Sequence, residues 1–289
     1  MHVLFVAPHF PSGQRQFVRA LRAVGARITG IGEAAPGDLD HELASWLYGY
    51  EQVSSVCDED ALYAAVRRAQ QREWVDRLEA TIEAHILPAA RVRERCTIPG
   101  LSVRAAVLCR DKPEMKEFLR AHGVPCAQST AVSTREEAHA FARDVGFPLI
   151  LKPRAGAGAQ GTVRVDDVGE LDAGLREMGV DRGASIAVEE FVSGHEGFYD
   201  TLTVGGSVGH AFISHYYPNV LEAMRTRWIS PQIVVTNRMD EPGYAELATL
   251  GARVITAMDL GPKNHSMCVA LVSMPKAWLT FAPRTLSSW

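Results

Sequence analysis

Residues 146–165 read GFPLILKPRAGAGAQGTVRV, an apolar run followed by small residues and a second apolar run. The apolar run at 149–152 predicts a buried strand that carries Lys152 at its end. A loop of small residues, 155–161, follows at once, and residues 162–165 predict a second strand. A lysine in an apolar strand costs free energy unless its charge is paired. Because glycine lets backbone N–H groups approach phosphate oxygens closely, strand, lysine and loop together predict a phosphate site.

The flanking segments complete a small α+β domain. Upstream, residues 111–122 predict a short amphipathic helix with Lys112 at its start, and residues 134–145 predict another helix. Downstream, a helix at 169–178 precedes a strand at 185–190 that ends in paired carboxylates. Each feature also has an ordinary structural interpretation, namely a lysine reaching solvent from an edge strand, a mobile hairpin and two solvated glutamates. Their order along the chain favours a nucleotide site.

The N-terminal part of the chain predicts a parallel sheet. Residues 1–7 and 26–31 predict buried strands that flank a helix beginning near residue 14, as in a right-handed βαβ unit. We also expect a strand at 53–56 and helices at 58–71 and 74–95. The first strand–helix loop, PHFPSG at 8–13, lacks the G-x-G-x-x-G fingerprint. A dinucleotide-binding oxidoreductase is therefore a weak alternative.

Composition excludes several other classes of protein. The 289 residues have a net charge of −4, which argues against a nucleic-acid binder held by phosphate contacts. No apolar run reaches the length that crosses a bilayer, and no signal peptide is expected at the start. The five cysteines are scattered, as in proteins of a reducing compartment. We therefore expect a cytoplasmic protein with neither nucleic-acid nor membrane partners.

Three segments, taken in order, resemble the ATP-grasp superfamily of carboxylate–amine or carboxylate–thiol ligases. They are RDKPEMKEFLRAHGVP at 110–125, the stretch at 146–165, and VEEFVSGHE at 188–196. The resemblance covers roughly residues 111–261, about half of the chain. It implies an α/β protein: an N-terminal parallel-sheet pre-ATP-grasp domain at 1–105, then a two-lobed α+β ATP-grasp module at 106–289. The small lobe would span about 112–190, and an incomplete large lobe about 191–289.

The resemblance also implies a role for individual residues. Lys112 and Lys152 would contact the ATP phosphates, and the glycine loop would fold over them as a lid. Glu189 and the backbone around Phe191 and Val192 would hold the adenine edge, and Glu196 would bind the ribose. The implied nucleotide-binding set is Lys112, Lys152, Gly156, Gly158, Gly161, Glu189, Glu190, Phe191, Val192 and Glu196.

Two arginines are candidates for the catalytic step. The segment YYPNVLEAMRTRW at 216–228 contains Arg225 and Arg227 among aromatic residues. A guanidinium can clamp a carboxylate or a transferring phosphoryl group. Exposed loop arginines are an equally good interpretation. The resemblance implies small-molecule carboxylate and amine substrates and is compatible with a homodimer.

The C-terminal part departs from the family pattern. The resemblance implies Mg²⁺ held by acidic residues near the end of the module, because Mg²⁺ requires hard oxygen ligands. Residues 260–289 contain no Asp and no Glu, although the chain has 34 acidic residues, and the metal ligands stay unknown. One hypothesis is that a frameshift near Gly261 replaced the natural ending. The other is a short variant that recruits acids from elsewhere, such as Asp200, Glu222 or Asp240.

The resemblance implies an ATP-dependent ligase that activates a carboxylate as an acyl-phosphate for attack by an amine. The alternative is a nucleotide-binding remnant or regulator that lacks the metal ligands and does not turn over. Metal-dependent release of ADP or phosphate distinguishes the two.

Overall fold

The computed structural model describes residues 1–154, 161–204, 207–226, 228–258, 266–271 and 281–284. Two compact units account for the described residues: residues 1–107, and residues 108–258 with 266–271 and 281–284. The domain boundary expected from the sequence, between residues 105 and 106, stays a prediction. No described helix has both the length and the apolar character needed to span a membrane.

The first unit contains a four-stranded parallel sheet in the order β3-β2-β1-β4. Buried side chains cover both faces of the central strand β1, with Leu4 and Val6 on one and Val3 and Phe5 on the other. This is the pattern expected of a parallel strand covered on both sides. The elements are β1 His2–Val6, α1 Gln14–Ala23, β2 Arg27–Gly32, α2 His41–Trp46, β3 Gly49–Gln52, α3 Glu59–Arg72, β4 Arg77–Glu79, α4 Glu83–Arg95 and α5 Val103–Arg110, whose last residues belong to the second unit.

Two expectations for this unit are wrong. The helix expected at 74–95 begins only at Glu83, because residues 77–79 form the edge strand β4, which pairs with β1 and buries Leu78. A three-residue strand is too short to show its period in the sequence. The strand expected at 53–56 lies instead at residues 49–52, where it forms β3 and pairs with β2. Val53 and Val56 are instead buried in the loop that follows it.

The second unit contains two sheets. The smaller is antiparallel, in the order β5-β8-β6-β7, and the larger has the order β11-β10-β9-β12-β13. The elements are α6 Lys112–Ala121, β5 Ser129–Val132, α7 Arg135–Val145, β6 Leu149–Pro153, β7 Val163–Val165, α8 Val168–Glu177, β8 Ile186–Glu190, β9 Gly197–Val204, β10 Ser207–Tyr217, α9 Val220–Thr226, β11 Gln232–Thr236, α10 Pro242–Ala257, β12 Ser266–Leu271 and β13 Phe281–Arg284.

Local signals fix the helices of the smaller sheet. Thr134 and Glu137 form a capping box at the start of α7, and Asp167 accepts a hydrogen bond from Glu170 N at the start of α8. Both helices pack on one face of the sheet, where Leu149, Leu151 and Val188 join the buried core. The parallel sheet and the antiparallel sheets confirm the predicted α/β class. The large lobe was predicted to be incomplete. This stays a prediction, because part of residues 191–289 lies outside the described residues.

Candidate functional site

The two faces of the smaller sheet carry opposite kinds of side chain. Successive residues of a strand point to opposite faces, so Leu149 and Leu151 face the core while Lys152 faces the other way. In the register of β6 and β8, Glu189 lies opposite Ile150 and Lys152 opposite Ala187. Lys152 and Glu189 are therefore diagonal neighbours on the same face. We call this side, with Lys152 and Glu189 on it, the charged face.

A buried carboxylate on the charged face binds two lysines at once. Glu189 Oε2 lies 2.6 Å from Lys152 Nζ and 2.8 Å from Lys116 Nζ. Ser129 donates a hydrogen bond of 3.3 Å to the other oxygen, Oε1. The side chains of Lys116 and Glu189 are 0% and 2% exposed, whereas that of Lys152 is 14% exposed. Of the three charged groups, Lys152 is the one that a ligand can reach.

The charges of this cluster shift the pKa values of its members. Desolvation acts to raise the pKa of Glu189, but the ammonium groups of Lys116 and Lys152 outweigh it and hold that pKa at about 2. Burial lowers the pKa of Lys152 to about 8, although Glu189 acts in the opposite direction. Lys116 and Lys112 add to the lowering as like charges. One carboxylate thus faces an excess of positive charge, which suits an anionic ligand.

Helix α6 brings two lysines to this region. Its N-cap, Asp111, accepts a hydrogen bond of 3.1 Å from Glu114 N and pairs with Arg154 at the end of β6. Lys112 begins the helix, and its backbone N–H donates to Arg154 O at 3.4 Å. Lys116 follows one turn later, so the two lysines lie on the same side of the helix. The helix start is therefore fixed directly beside the end of the strand that carries Lys152.

Glu190 and Phe191 occupy the end of β8. Glu190 Oε2 accepts a hydrogen bond of 3.1 Å from Gln128 N, and Phe191 N donates to Pro148 O at 3.2 Å. The Arg164 guanidinium lies 4.3 Å from the centre of the Phe191 ring. The carboxylate of Glu189 is turned into the ion pairs with Lys116 and Lys152, and its predicted contact with adenine stays a prediction. The predicted roles of Glu190, Phe191 and Val192 likewise stay predictions.

Glu196 connects the start of β9 to α9. Its Oε2 accepts a hydrogen bond of 2.7 Å from Val220 N, the first residue of α9, and its own N–H donates to Asn219 Oδ1 at 2.9 Å. Beside it, His195 Nε2 lies 3.0 Å from His215 Nδ1, and His215 Nε2 lies 2.9 Å from Tyr244 Oη. Glu196 is thus fixed at a helix start, and its predicted contact with ribose stays a prediction.

Several predicted residues lie outside the described part of the chain. Gly156, Gly158 and Arg227 are among these, and the side chain of Arg225 is not described either. Gly161, at the end of the loop, has φ +67°, and a Cβ there would meet Pro153 Cγ at 3.2 Å. Glycine suits this position because L side chains rarely adopt that backbone conformation. The predicted roles of the glycines and arginines stay predictions.

The sequence reasoning missed Lys116 and Ser129. Lys116 shares the buried stripe of α6 with Pro113, Met115 and Leu119. A lysine among the apolar residues of a helical stripe is visible in the sequence periodicity, and this signal could have identified Lys116. Ser129 gave no such signal, because only strand pairing places it opposite Glu189.

The described residues offer no group of three or more His, Cys, Asp and Glu side chains arranged to hold a metal ion. The part of the chain that the structure describes therefore does not define a magnesium site. The two hypotheses for the tail from Gly261 onward concern residues that lie mostly outside the described part.

Comparison with known proteins places this geometry in context. Residues 111–196 match the family model of the carbamoyl-phosphate synthase L chain, ATP binding domain. An L-arginine-specific L-amino acid ligase of Bacillus subtilis is 29% identical over 188 residues, which cover 63% of this chain and 44% of that protein. The chain therefore matches less than half the length of this curated relative.

Solved structures share the fold. The L-amino acid ligase from Bacillus licheniformis superposes with a TM-score of 0.74 at 19% identity, covering 98% of this chain and 66% of that one. N5-carboxyaminoimidazole synthetase from Staphylococcus aureus, solved in complex with ADP, gives a TM-score of 0.74 at 16% identity, covering 99% and 71%. Both similarities concern the fold alone.

Proposed function

Because the chain belongs to the ATP-grasp superfamily, we propose that it binds ATP with the phosphates at the charged face of the smaller sheet. Lys152 and Lys112 would contact phosphate oxygens, and the loop at 155–161 would cover them. The end of β8 would hold the adenine through its backbone. The match of residues 111–196 to an ATP-binding domain supports this placement, since these residues contain the charged face.

The observation that carries the proposal is the environment of Lys152. Its ammonium group is largely buried and shares one carboxylate with a second lysine, which leaves an excess positive charge. Burying such a charge without a partner is costly, and a phosphate group supplies the missing negative charge. Lysine serves as a point charge for phosphate, and positioning with charge neutralisation supplies most of the catalysis in phosphoryl transfer.

The proposed reaction has two steps. An oxygen of the substrate carboxylate attacks the γ-phosphorus of ATP, the bond from that phosphorus to the β–γ bridging oxygen breaks, and ADP leaves. The amine then attacks the acyl carbon, the bond to phosphate breaks, and the amine loses a proton as the amide forms. Arg225 and Arg227 are proposed to hold the carboxylate or the transferring phosphoryl group.

We propose amino acids as both the carboxylate and the amine. This choice rests on the L-arginine-specific L-amino acid ligase among the relatives and on the L-amino acid ligase among the similar structures. A homodimer and a cytoplasmic location are also proposed. The described cysteines Cys57, Cys96, Cys109 and Cys126 are free thiols, in keeping with a reducing compartment.

The proposal is tested by incubating the purified protein with ATP, Mg²⁺ and mixtures of L-amino acids while ADP and dipeptides are measured. We expect ADP release that depends on the amino acids and forms one dipeptide for each ADP. If ATP binds but no ADP is released in any mixture, the ligase assignment is wrong.

The alternative is a nucleotide-binding protein that does not turn over. Residues 260–289 contain no Asp and no Glu, which favours it because Mg²⁺ requires such hard oxygen ligands. Binding of ATP without metal-dependent ADP release would establish this second function.

A further inference from the structure

Lys116 is a buried cation that the proposed reaction does not use. Its side chain is fully buried, so no ligand can touch its ammonium group. Among the described residues, its Nζ has no partner of hydrogen-bonding geometry, and the contact with Glu189 Oε2 at 2.8 Å is an ion pair held by charge. A fully buried ammonium with one ionic partner is expensive, because most of its donors are unsatisfied. Lys116 therefore acts on a nucleotide without touching it, through its ion pair with Glu189 and through its like charge beside Lys152.

Both lysines bind the same oxygen of Glu189. If Lys152 were the sole partner of this carboxylate, the two would form a neutral pair, and a phosphate would have to compete with Glu189 for the ammonium group. With Lys116 present, the carboxylate stays neutralised when Lys152 moves away. The three groups together carry a net charge of +1, and Lys152, at 14% exposed, is the member that can meet solvent.

We propose that Lys116 is a positioning residue for nucleotide binding: it neutralises Glu189, so that Lys152 is released from that carboxylate to bind the ATP phosphates. This inference deepens the proposed function and rests on it. The ligand class is an anion of the nucleoside triphosphate type. Phosphate binding exchanges one partner of Lys152 for another, while Lys116 and Glu189 remain paired in the core.

The test compares ATP binding by calorimetry for the wild type, Lys116→Met, Lys116→Arg and the double variant Lys116→Met with Glu189→Gln. We expect Lys116→Met to bind ATP roughly tenfold more weakly, the order of effect of a charge-assisted contact. Lys116→Arg keeps the charge and should bind within about threefold of the wild type. The double variant removes the carboxylate as well, leaves Lys152 unopposed, and should restore most of the affinity.

The matched control is Arg143→Met, which removes one positive charge from the exposed side of α7 on the same sheet. It should bind ATP like the wild type. Each variant is first checked by circular dichroism and thermal unfolding. Because the double variant tests rescue of binding and not loss, it separates a role in positioning from a role in folding alone.

The pH profile supplies a second readout. In Lys116→Met the like charge is gone, so Lys152 should keep its proton to higher pH, and the decline of ATP affinity with pH should move upward. A folded Lys116→Met that binds ATP as the wild type does, while Lys152→Met binds weakly, overturns the inference and leaves the proposed function intact. A double variant no better than Lys116→Met also overturns it. A folded wild type that binds no ATP overturns both.

Discussion

The two faces of the smaller sheet are made by the same strands and differ in what their side chains contribute. On one face, Leu149, Leu151 and Val188 pack against α7 and α8 and stabilise the fold. On the charged face, Glu189 joins two lysines whose burial costs free energy. One face thus serves folding, and we propose that the other serves nucleotide binding. Changes on the two faces should therefore separate stability from nucleotide affinity.

The largest effect is expected from removing the carboxylate of the charged face. Glu189→Ala leaves Lys116 and Lys152 buried together without a counter-charge, and breaking a buried ion pair in this way costs about 3–5 kcal/mol of unfolding free energy. Urea unfolding followed by circular dichroism measures the loss. Glu190→Ala, which removes a half-buried carboxylate that accepts one hydrogen bond from Gln128 N, is the control and should cost much less. A loss below about 1 kcal/mol for Glu189→Ala would contradict the ion-pair assignment.

A change on the apolar face should affect stability without affecting binding. Leu151 is fully buried in the core beneath β6, and Leu151→Ala should lower the unfolding free energy by about 2–5 kcal/mol because it leaves a cavity. Where the variant remains folded, its affinity for ATP should match that of the wild type. Denaturant titration and calorimetry on the same sample check both statements. Weaker ATP binding by the folded variant would show that the two faces are not separable.

ATP affinity should depend on pH through Lys152. The pKa of Lys152 in the nucleotide-free protein is lowered to about 8, so its ammonium is charged below pH 8 and loses its proton as the pH rises above it. A neutral amine does not attract phosphate, and affinity should therefore fall as the pH rises through about 8. Glu189, with a pKa of about 2, stays ionised throughout.

Calorimetry at pH 7 and pH 9.5 checks this dependence. The control is Lys152→Met, whose weaker binding should change little between these values. An affinity of the wild type that stays constant from pH 7 to 9.5 would contradict a role for the Lys152 ammonium.

The smallest effect is expected at the capping box of α7. Thr134→Ala removes the side chain that accepts a hydrogen bond from Glu137 N, and the loss should be about 1 kcal/mol of unfolding free energy. ATP binding should be unchanged, since α7 covers the apolar face. Urea unfolding of Thr134→Ala beside Thr134→Ser, which keeps the hydroxyl, measures the contribution of the cap. Equal stability of the two variants would show that the hydroxyl group of residue 134 does not stabilise α7.

Much of the fold could be predicted because local signals agree with the tertiary structure. The capped helix α7 and the apolar strand around Leu151 appear within one or two residues of their predicted places. The strand β4 was missed, because its three residues owe their conformation to pairing with β1. A local pattern contains no information about such a partner.

The candidate site was predicted in part for the same reason. Lys152 stands out as a charge in an apolar strand, whereas the partnership of Glu189 with Lys116 depends on how α6 packs on the sheet. That packing brings together residues 73 positions apart, and no sequence period reports it. The carboxylate assigned to adenine from the sequence thus faces the lysines in the structure.

Calorimetric titration of the wild type and Lys152→Met with ATP tests the claim that the charged face binds the phosphates of ATP. We expect binding by the wild type and an affinity weaker by roughly 10- to 100-fold for the variant, the range expected for a lost hydrogen bond to a charged group. Both proteins should unfold at similar temperatures. Equal affinity of the two folded proteins, or no binding by the wild type, would contradict the claim.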